Sequence, residues 1–177
     1  MAQDSAHTNP ASRRTPPAAT ESAHFRTVLG RFPTGVTVVT AQDGAKPVGM
    51  AIGSFTSVSL DPPLVAFLPA KSSSSWPAIE RAGVFCVNII AEDQGAICAA
   101  FASRAEDKFA GVAWERAGTG SPRLAGCIAW MDCTIEAVHE GGDHWIVVGR
   151  VQEMDVDLER DVGPLLFFKG AYGTFAD

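Results

Sequence analysis

The sequence predicts a mainly β protein, an antiparallel barrel with a few short helices at its periphery. Seven segments rich in Val, Ile, Thr and Phe read as strands. Several of them are joined by short turns such as Asp43-Gly44 and Gly141-Gly142-Asp143. The helical segments are too few and too short for a repeated βαβ pattern, which argues against a doubly wound sheet.

The elements follow in order. In 24–32, "HFRTVLGRF", Phe25, Val28, Leu29 and Phe32 recur at helical spacing, and Pro33 stops the helix. The β-branched run 34–42 is a strand, 43–46 a hairpin turn and 47–55 the returning strand. Residues 56–60 alternate polar with apolar, 61–63 break the pattern, and 64–70 is a buried strand. A serine run leads into a short helix over 76–83, with Pro77 in its first turn and Gly83 as its stop. Strand 84–90 precedes a helix over 92–104, with Asp93 as candidate N-cap. Residues 105–124 are mostly loop, 127–140 and 144–156 are two long strands about a tight turn, and 164–175 is the last strand.

The 177 residues suffice for one domain, read as a disordered tail over 1–22 and a folded unit over 23–177. Hydrophobic residues make up 46% and charged residues only 19%, a shortage that a buried subunit interface explains. A net charge of -6 argues against general nucleic-acid binding. No apolar run approaches the roughly 20 residues needed to span a membrane, and the tail lacks the apolar block of a secretory signal, so the expected location is cytoplasmic. Cys86, Cys98, Cys127 and Cys133 form no C-x-x-C pair and no metal-ligand spacing, and each sits among apolar neighbours. They read as buried core thiols, with no metal and no structural disulfide.

Three stretches bear on chemistry. "AKSSSSWPAIE" (70–80) places Lys71 and four serine hydroxyls before a helix start, the components an anion site needs, although a helix cap among solvated serines has the same composition. "PVGMAIGSFTSVSLDPP" (47–63) is a glycine-punctuated strand followed by Ser54, Thr56 and Ser57, able to offer backbone groups and an apolar wall to a flat ring. "GGDHW" (141–145) puts His144 where a turn opens a strand, a place for a pyridine-nucleotide contact or for a simple surface histidine. The chain has no dinucleotide fingerprint, no Walker loop, no H-E-x-x-H and no G-x-S-x-G elbow.

Taken in order and spacing, "FRTVLGRFPTGVTVVT", "PVGMAIGSFTSVSLDPPLV", "KSSSSWPAIERAGVFCVNII", "EDQGAICAAFASRAEDKFAG", "GSPRL", "GGDHWIVVGRV" and "PLLFFKGAYG" resemble the short-chain flavin reductases, the reductase components of two-component flavin-dependent monooxygenases. The resemblance runs from Phe25 to Phe175. It implies a split β-barrel working as a homodimer, with NADH (or NADPH) reducing FMN or FAD for a separate oxygenase. It also implies that Pro47, Val48, Gly49, Met50, Ala51, Gly53 and Ser54 line the flavin ring, and that Pro69, Lys71, Ser72, Ser73 and Ser75 hold its phosphate. Asn88 and Phe101 would lie near the flavin, and His144 and Tyr172 near the nicotinamide. Ser74 or Ser75 would cap the helix. The family often carries Thr-x-Ser-Ser where this chain has Ala51, Ile52, Gly53 and Ser54, so two side-chain donors are missing along the flavin edge. The rival expectations are a flavin-binding barrel without NADH turnover and, below it, an oxidase of vitamin B6 phosphates.

Overall fold

The computed structural model describes residues 19–175. The strands are β1 (Thr34–Gly35), β2 (Thr37–Asp43), β3 (Lys46–Ile52), β4 (Phe55–Leu60), β5 (Pro63–Phe67), β6 (Val84–Ile89), β7 (Trp114–Arg116), β8 (Pro122–Leu124), β9 (Ala129–Gly141), β10 (His144–Val156), β11 (Leu166–Phe168) and β12 (Ala171–Gly173). The helices are α1 (Ala19–Leu29), α2 (Trp76–Ala82) and α3 (Gly95–Ala102), with a 3-10 turn over Glu92–Gln94 leading into α3.

Seven strands form one antiparallel sheet in the order β3-β2-β6-β9-β10-β5-β4. Its two edge strands, β3 and β4, are consecutive in the chain and separated only by Gly53 and Ser54. The sheet must therefore curl until its ends approach. The side chains confirm it, because residues of six strands and of α2 converge on one core, including Val39, Met50, Phe67, Phe85, Cys133, Val147 and Trp76. Val38 of β2 and Ile90, just past the end of β6, point outward into a second core, where they meet Cys98 and Phe101 of α3, Leu124 and Leu165. Burial on both faces is why these two strands read as almost unbroken apolar runs.

Several expected elements are subdivided. Val36 leaves the first strand to bond across to Leu165 and Ile90, so 34–42 becomes β1 and β2. The final strand breaks at Lys169 and Gly170, both with positive φ (51° and 81°), and folds into the β11–β12 hairpin. Within 105–124, β7 and β8 form a small hairpin. Asp93 is not a cap. Gln94 Oε1 accepts the Ala91 N–H at 3.1 Å, and the Asp93 carboxylate pairs with Arg160. Gly83 does end α2, at φ 68°.

The first helix differs more. It begins at Ala19, inside the segment expected as tail; residues 1–18 lie outside those described. Its apolar stripe is not packed on the barrel: Phe25, Val28, Leu29 and Phe32 are 54–72% exposed. The four cysteines are free and buried, as expected. No described helix is long and apolar enough to cross a membrane.

Candidate active site

A cleft of about 690 Å³ opens along the outer edge of β3. One wall is β3 and its continuation, Met50 to Ser54. A second is the serine loop, with Ala70, Ser72, Ser73 and Ser74. The third is the end of α3 and the loop beyond it, with Phe101, Ser103, Arg104 and Lys108. His144 closes one end.

β3 supplies polar groups because no described strand pairs with its outer edge. The Gly49 carbonyl points outward, accepting a hydrogen bond from Lys108 Nζ at 3.3 Å. N–H and C=O of one residue point the same way in an antiparallel strand, and every second residue repeats the direction. Ala51 therefore presents its own N–H and C=O on the same side. Residue 49 must be glycine, since a Cβ there would lie 2.7 Å from Phe101 Cε1. The missing Cβ lets the Phe101 ring pack directly on the strand backbone beside the cleft.

The serine loop is fixed by the turn that carries His144. Ala70 and His144 form an isolated antiparallel bridge. The Lys71 N–H donates to the Asp143 carbonyl and the Trp145 N–H to the Pro69 carbonyl, both at 2.9 Å. Within the loop, Ser73 Oγ accepts from the backbone N–H groups of Ser75 and Trp76 at 3.3 and 3.4 Å. Ser73, rather than Ser74 or Ser75, thus covers the start of α2.

Lys71 turns away from the cleft. Its Nζ lies 3.6 Å from Glu140 Oε2 and 4.6 Å from the centroid of the Trp145 ring. Alternation across the bridge sends it to the other face of the loop, so the expected charge at the serines is not Lys71. Lys108 takes that place. Its Nζ donates to Ser75 Oγ, the Gly49 carbonyl and the Phe101 carbonyl at 3.1–3.3 Å. Burial pushes its pKa below the ordinary lysine value. Neither Lys108 nor Arg104 is ion-paired with any described residue. Sequence reasoning gave neither to the phosphate: Arg104 ends the segment read as a helix over 92–104, and Lys108 lies in 105–124, read as loop. The signal available was "SRAEDKF", two cations directly after a helix that carries a cleft residue.

His144 stands at the cleft mouth as expected, with Nδ1 2.7 Å from Asp143 Oδ1. That hydrogen bond is the main cause holding the Asp143 carboxyl below the usual carboxylate range.

Other expected residues fall elsewhere. Asn88 is fully buried. Its Nδ2 donates to the Val38 carbonyl and Thr40 Oγ1 at 3.0 and 3.1 Å, and its Oδ1 accepts the Leu124 N–H at 2.7 Å, so it ties β6 to the outer core. Pro47 and Val48 sit at the far end of β3, opposite Gln42 and Ala41. Pro69 is buried behind the loop; Ser54 does line the cleft, but its hydroxyl is engaged by the backbone of Leu68. Tyr172 does not line the cleft. Its hydroxyl is 3.1 Å from Cys98 Sγ, which with burial pushes the phenol pKa up to about 12.

This layout has the shape a flavin nucleotide needs: an open strand edge for the polar rim of the ring, the Phe101 wall beside it, and serine hydroxyls with two unpaired cations for the phosphate. A model of the flavin reductase like domain matches residues 29–176. The chain belongs to the flavin reductase-like family. It is 53% identical over 155 residues to the reductase subunit HsaB of a flavin-dependent monooxygenase from Rhodococcus jostii, covering 87% of this chain and 78% of that one. Nitrilotriacetate monooxygenase component B from Mycobacterium thermoresistibile shares 49% identity and superposes with a TM-score of 0.87, over 89% of this chain and 88% of that one. The NADH:FAD oxidoreductase SgcE6 from Streptomyces globisporus, solved with NAD and FAD fragments, shares 36% identity with a TM-score of 0.83, over 89% and 94% of the two chains. The flavin reductase-like family therefore has the split-barrel fold here, and the chain is an oxidoreductase of that family.

Proposed function

We propose that this flavin reductase passes a hydride from NADH to FMN or FAD in the cleft beside β3 and supplies the reduced flavin to a separate monooxygenase component. The observation that carries the reading is the convergence of the open edge of β3, the serine loop and the Lys108–Arg104 pair on one cleft with His144 at its mouth.

Bound flavin supplies the hydride acceptor. The protein binds and orients. Ala51 offers its backbone N–H and C=O to the pyrimidine rim in place of the side-chain donors this sequence lacks. Ser72, Ser73 and Ser74 offer hydroxyls to the phosphate, and Lys108 and Arg104 offset its charge. Lys108 is braced by two carbonyls and Ser75, which fixes its ammonium without neutralising it. His144, steered by Asp143, positions the nicotinamide at the open end. Hydride transfer needs no acid or base of its own, so alignment of two rings at near-attack distance is the protein's main contribution.

The working unit in this reading is a cytoplasmic homodimer. An apolar groove of about 730 Å³ next to the cleft, lined by Leu29, Pro33, Val36, Phe55 and Ile89 among others, supports a second copy as its cover. The test is NADH oxidation by purified protein with FMN, FAD or riboflavin. Turnover that depends on added flavin is expected; a protein that binds flavin and leaves NADH unoxidised would overturn the reading.

A further inference from the structure

A separate pocket of about 360 Å³ has no lining residue in common with the flavin cleft. Its size is at the small end for a ligand site. The β7–β8 hairpin supplies one wall, where Glu115 and Arg123 are cross-strand partners and their side chains are ion-paired. The β9–β10 pair supplies another, where Trp130 and Asp155 are cross-strand partners and Asp157 follows just beyond β10. The loop from Ala125 to Cys127 joins the two walls.

The backbone of that loop is already committed. The Ala125 carbonyl accepts from Gln94 Nε2 and the Ala125 N–H donates to the Ala113 carbonyl, both at 2.9 Å, and the Gly126 carbonyl accepts from Arg160. The free polar groups are on side chains, and they are of both kinds. Trp130 is nine-tenths buried (9% exposed), yet its indole N–H has no partner among the described residues. Nor is that N–H sealed from solvent, as Trp76 Nε1 is, so it opens into the pocket that Trp130 lines. The Arg123 guanidinium lies over the same ring, 4.7 Å from its centroid, and spends only Nη2 on Glu115. Its other N–H groups are spare donors beside the indole.

Carboxylates face these donors. Asp155 and Asp157 are ion-paired with no described residue. Each is steadied by one backbone N–H on Oδ1, from Val156 at 2.8 Å and Glu159 at 3.1 Å, which leaves Oδ2 open. With Glu115 there are three carboxylates to one guanidinium, so the pocket favours a net positive ligand. No group among the described residues suits a metal ion, so that charge is organic.

We propose that this pocket binds a free basic α-amino acid, its carboxylate on the Trp130 and Arg123 N–H groups and its ammonium groups on Asp155 and Asp157. The unpartnered indole N–H calls for an acceptor. A diamine satisfies the carboxylates and leaves that donor bare. A simple anion takes the donors but faces three carboxylates. A ligand carrying both signs uses all four groups.

Isothermal titration of the full-length protein with L-lysine tests this, and saturable binding is expected. Cadaverine, which lacks the carboxylate, and Nα-acetyl-L-lysine, which imitates the end of a peptide, should each bind about fivefold more weakly or worse. In the folded Trp130→Phe variant L-lysine should bind about fivefold more weakly while cadaverine is unchanged. Phenylalanine keeps a ring under Arg123 and removes only the donor, so a merely structural tryptophan would not separate the two ligands. Asp155→Asn/Asp157→Asn should weaken L-lysine by about tenfold or more. No saturable heat with wild type up to about 50 mM L-lysine overturns the proposal. So does undiminished L-lysine binding in either folded variant. Equal affinity for Nα-acetyl-L-lysine overturns the free amino acid as the ligand and gives the pocket to a peptide end.

Discussion

Ala70 and His144 pair across an isolated antiparallel bridge, flanked by two main-chain hydrogen bonds of 2.9 Å. The loop assigned to the flavin phosphate and the histidine assigned to the nicotinamide are therefore one mechanical unit, although 74 positions separate them in sequence (144 minus 70). The side chain of His144 can be removed without cutting this link, because the bridge is made by backbone.

His144→Ala should thus separate the two ligands. KM for NADH is expected to rise about fivefold or more, the loss of one polar contact, while KM for FMN stays within about twofold. Steady-state kinetics with each substrate varied in turn checks this. A parallel rise in both constants would show that the histidine serves the loop rather than the nicotinamide.

Lys108 and Lys71 make opposite predictions. Lys108→Met should raise KM for FMN by about tenfold, the loss of one positive charge beside the phosphate, and should affect riboflavin, which has no phosphate, far less. Lys71→Ala should leave the FMN-to-riboflavin ratio unchanged, since that side chain lies against Glu140 and Trp145.

The same lysine predicts a pH effect. Desolvation lowers its pKa in the folded protein. As pH rises through that lowered value the ammonium loses its proton and its hold on the phosphate. KM for FMN should therefore climb on the alkaline side before an ordinary lysine would titrate, with riboflavin unaffected. Lys108→Arg should flatten the climb, because a guanidinium stays charged. For folding the sign is opposite. The protonated ammonium is a cost to the folded state, relieved as pH rises from the lowered pKa to the ordinary one.

Asn88→Ala tests a structural residue. Its amide serves β2, β6 and the Leu124 N–H at zero exposure, so the change should cost about 2–3 kcal/mol in urea unfolding. The folded variant should keep its KM for flavin within about twofold. A selective loss of flavin affinity would return Asn88 to the site.

Gly49→Ala would place a methyl group 2.7 Å from Phe101 Cε1. Overpacking here should cost about 1–3 kcal/mol and weaken flavin binding, as the ring is pushed away from β3. Phe101→Leu combined with it should recover part of the stability, which a double-mutant cycle would read as coupling between the two positions.

The strands of the barrel were legible because period-two burial leaves its mark on residue type; β2, β6, β9 and β10 lie close to where Val, Thr and Ile place them. What was not legible depends on direction. Lys71 and Ser72 are neighbours in sequence, and only the bridge to His144 shows that Lys71 lies off the cleft while Ser72 lines it. Asn88 is polar in a buried strand, which fits a ligand contact as well as an internal clamp, and its three partners come from segments distant in sequence. Lys108 was missed because a cation in a loop carries no periodic signal. The helical period of α1 was legible, but what its apolar stripe faces was not: Phe25, Val28 and Leu29 are exposed, since a stripe records burial without naming what covers it.

The open edge of β3 has a further consequence. An unpaired strand edge is a template for joining another copy of the same strand, the first step of edge-to-edge aggregation. A reductase that releases its product uncovers such an edge at every cycle. Lys108 on the Gly49 carbonyl and the Phe101 ring over the same residue guard one end of it at all times. A charge against a carbonyl and a bulky ring on the strand both discourage strand pairing, so the residues that shape the cleft also protect the protein from itself between turnovers.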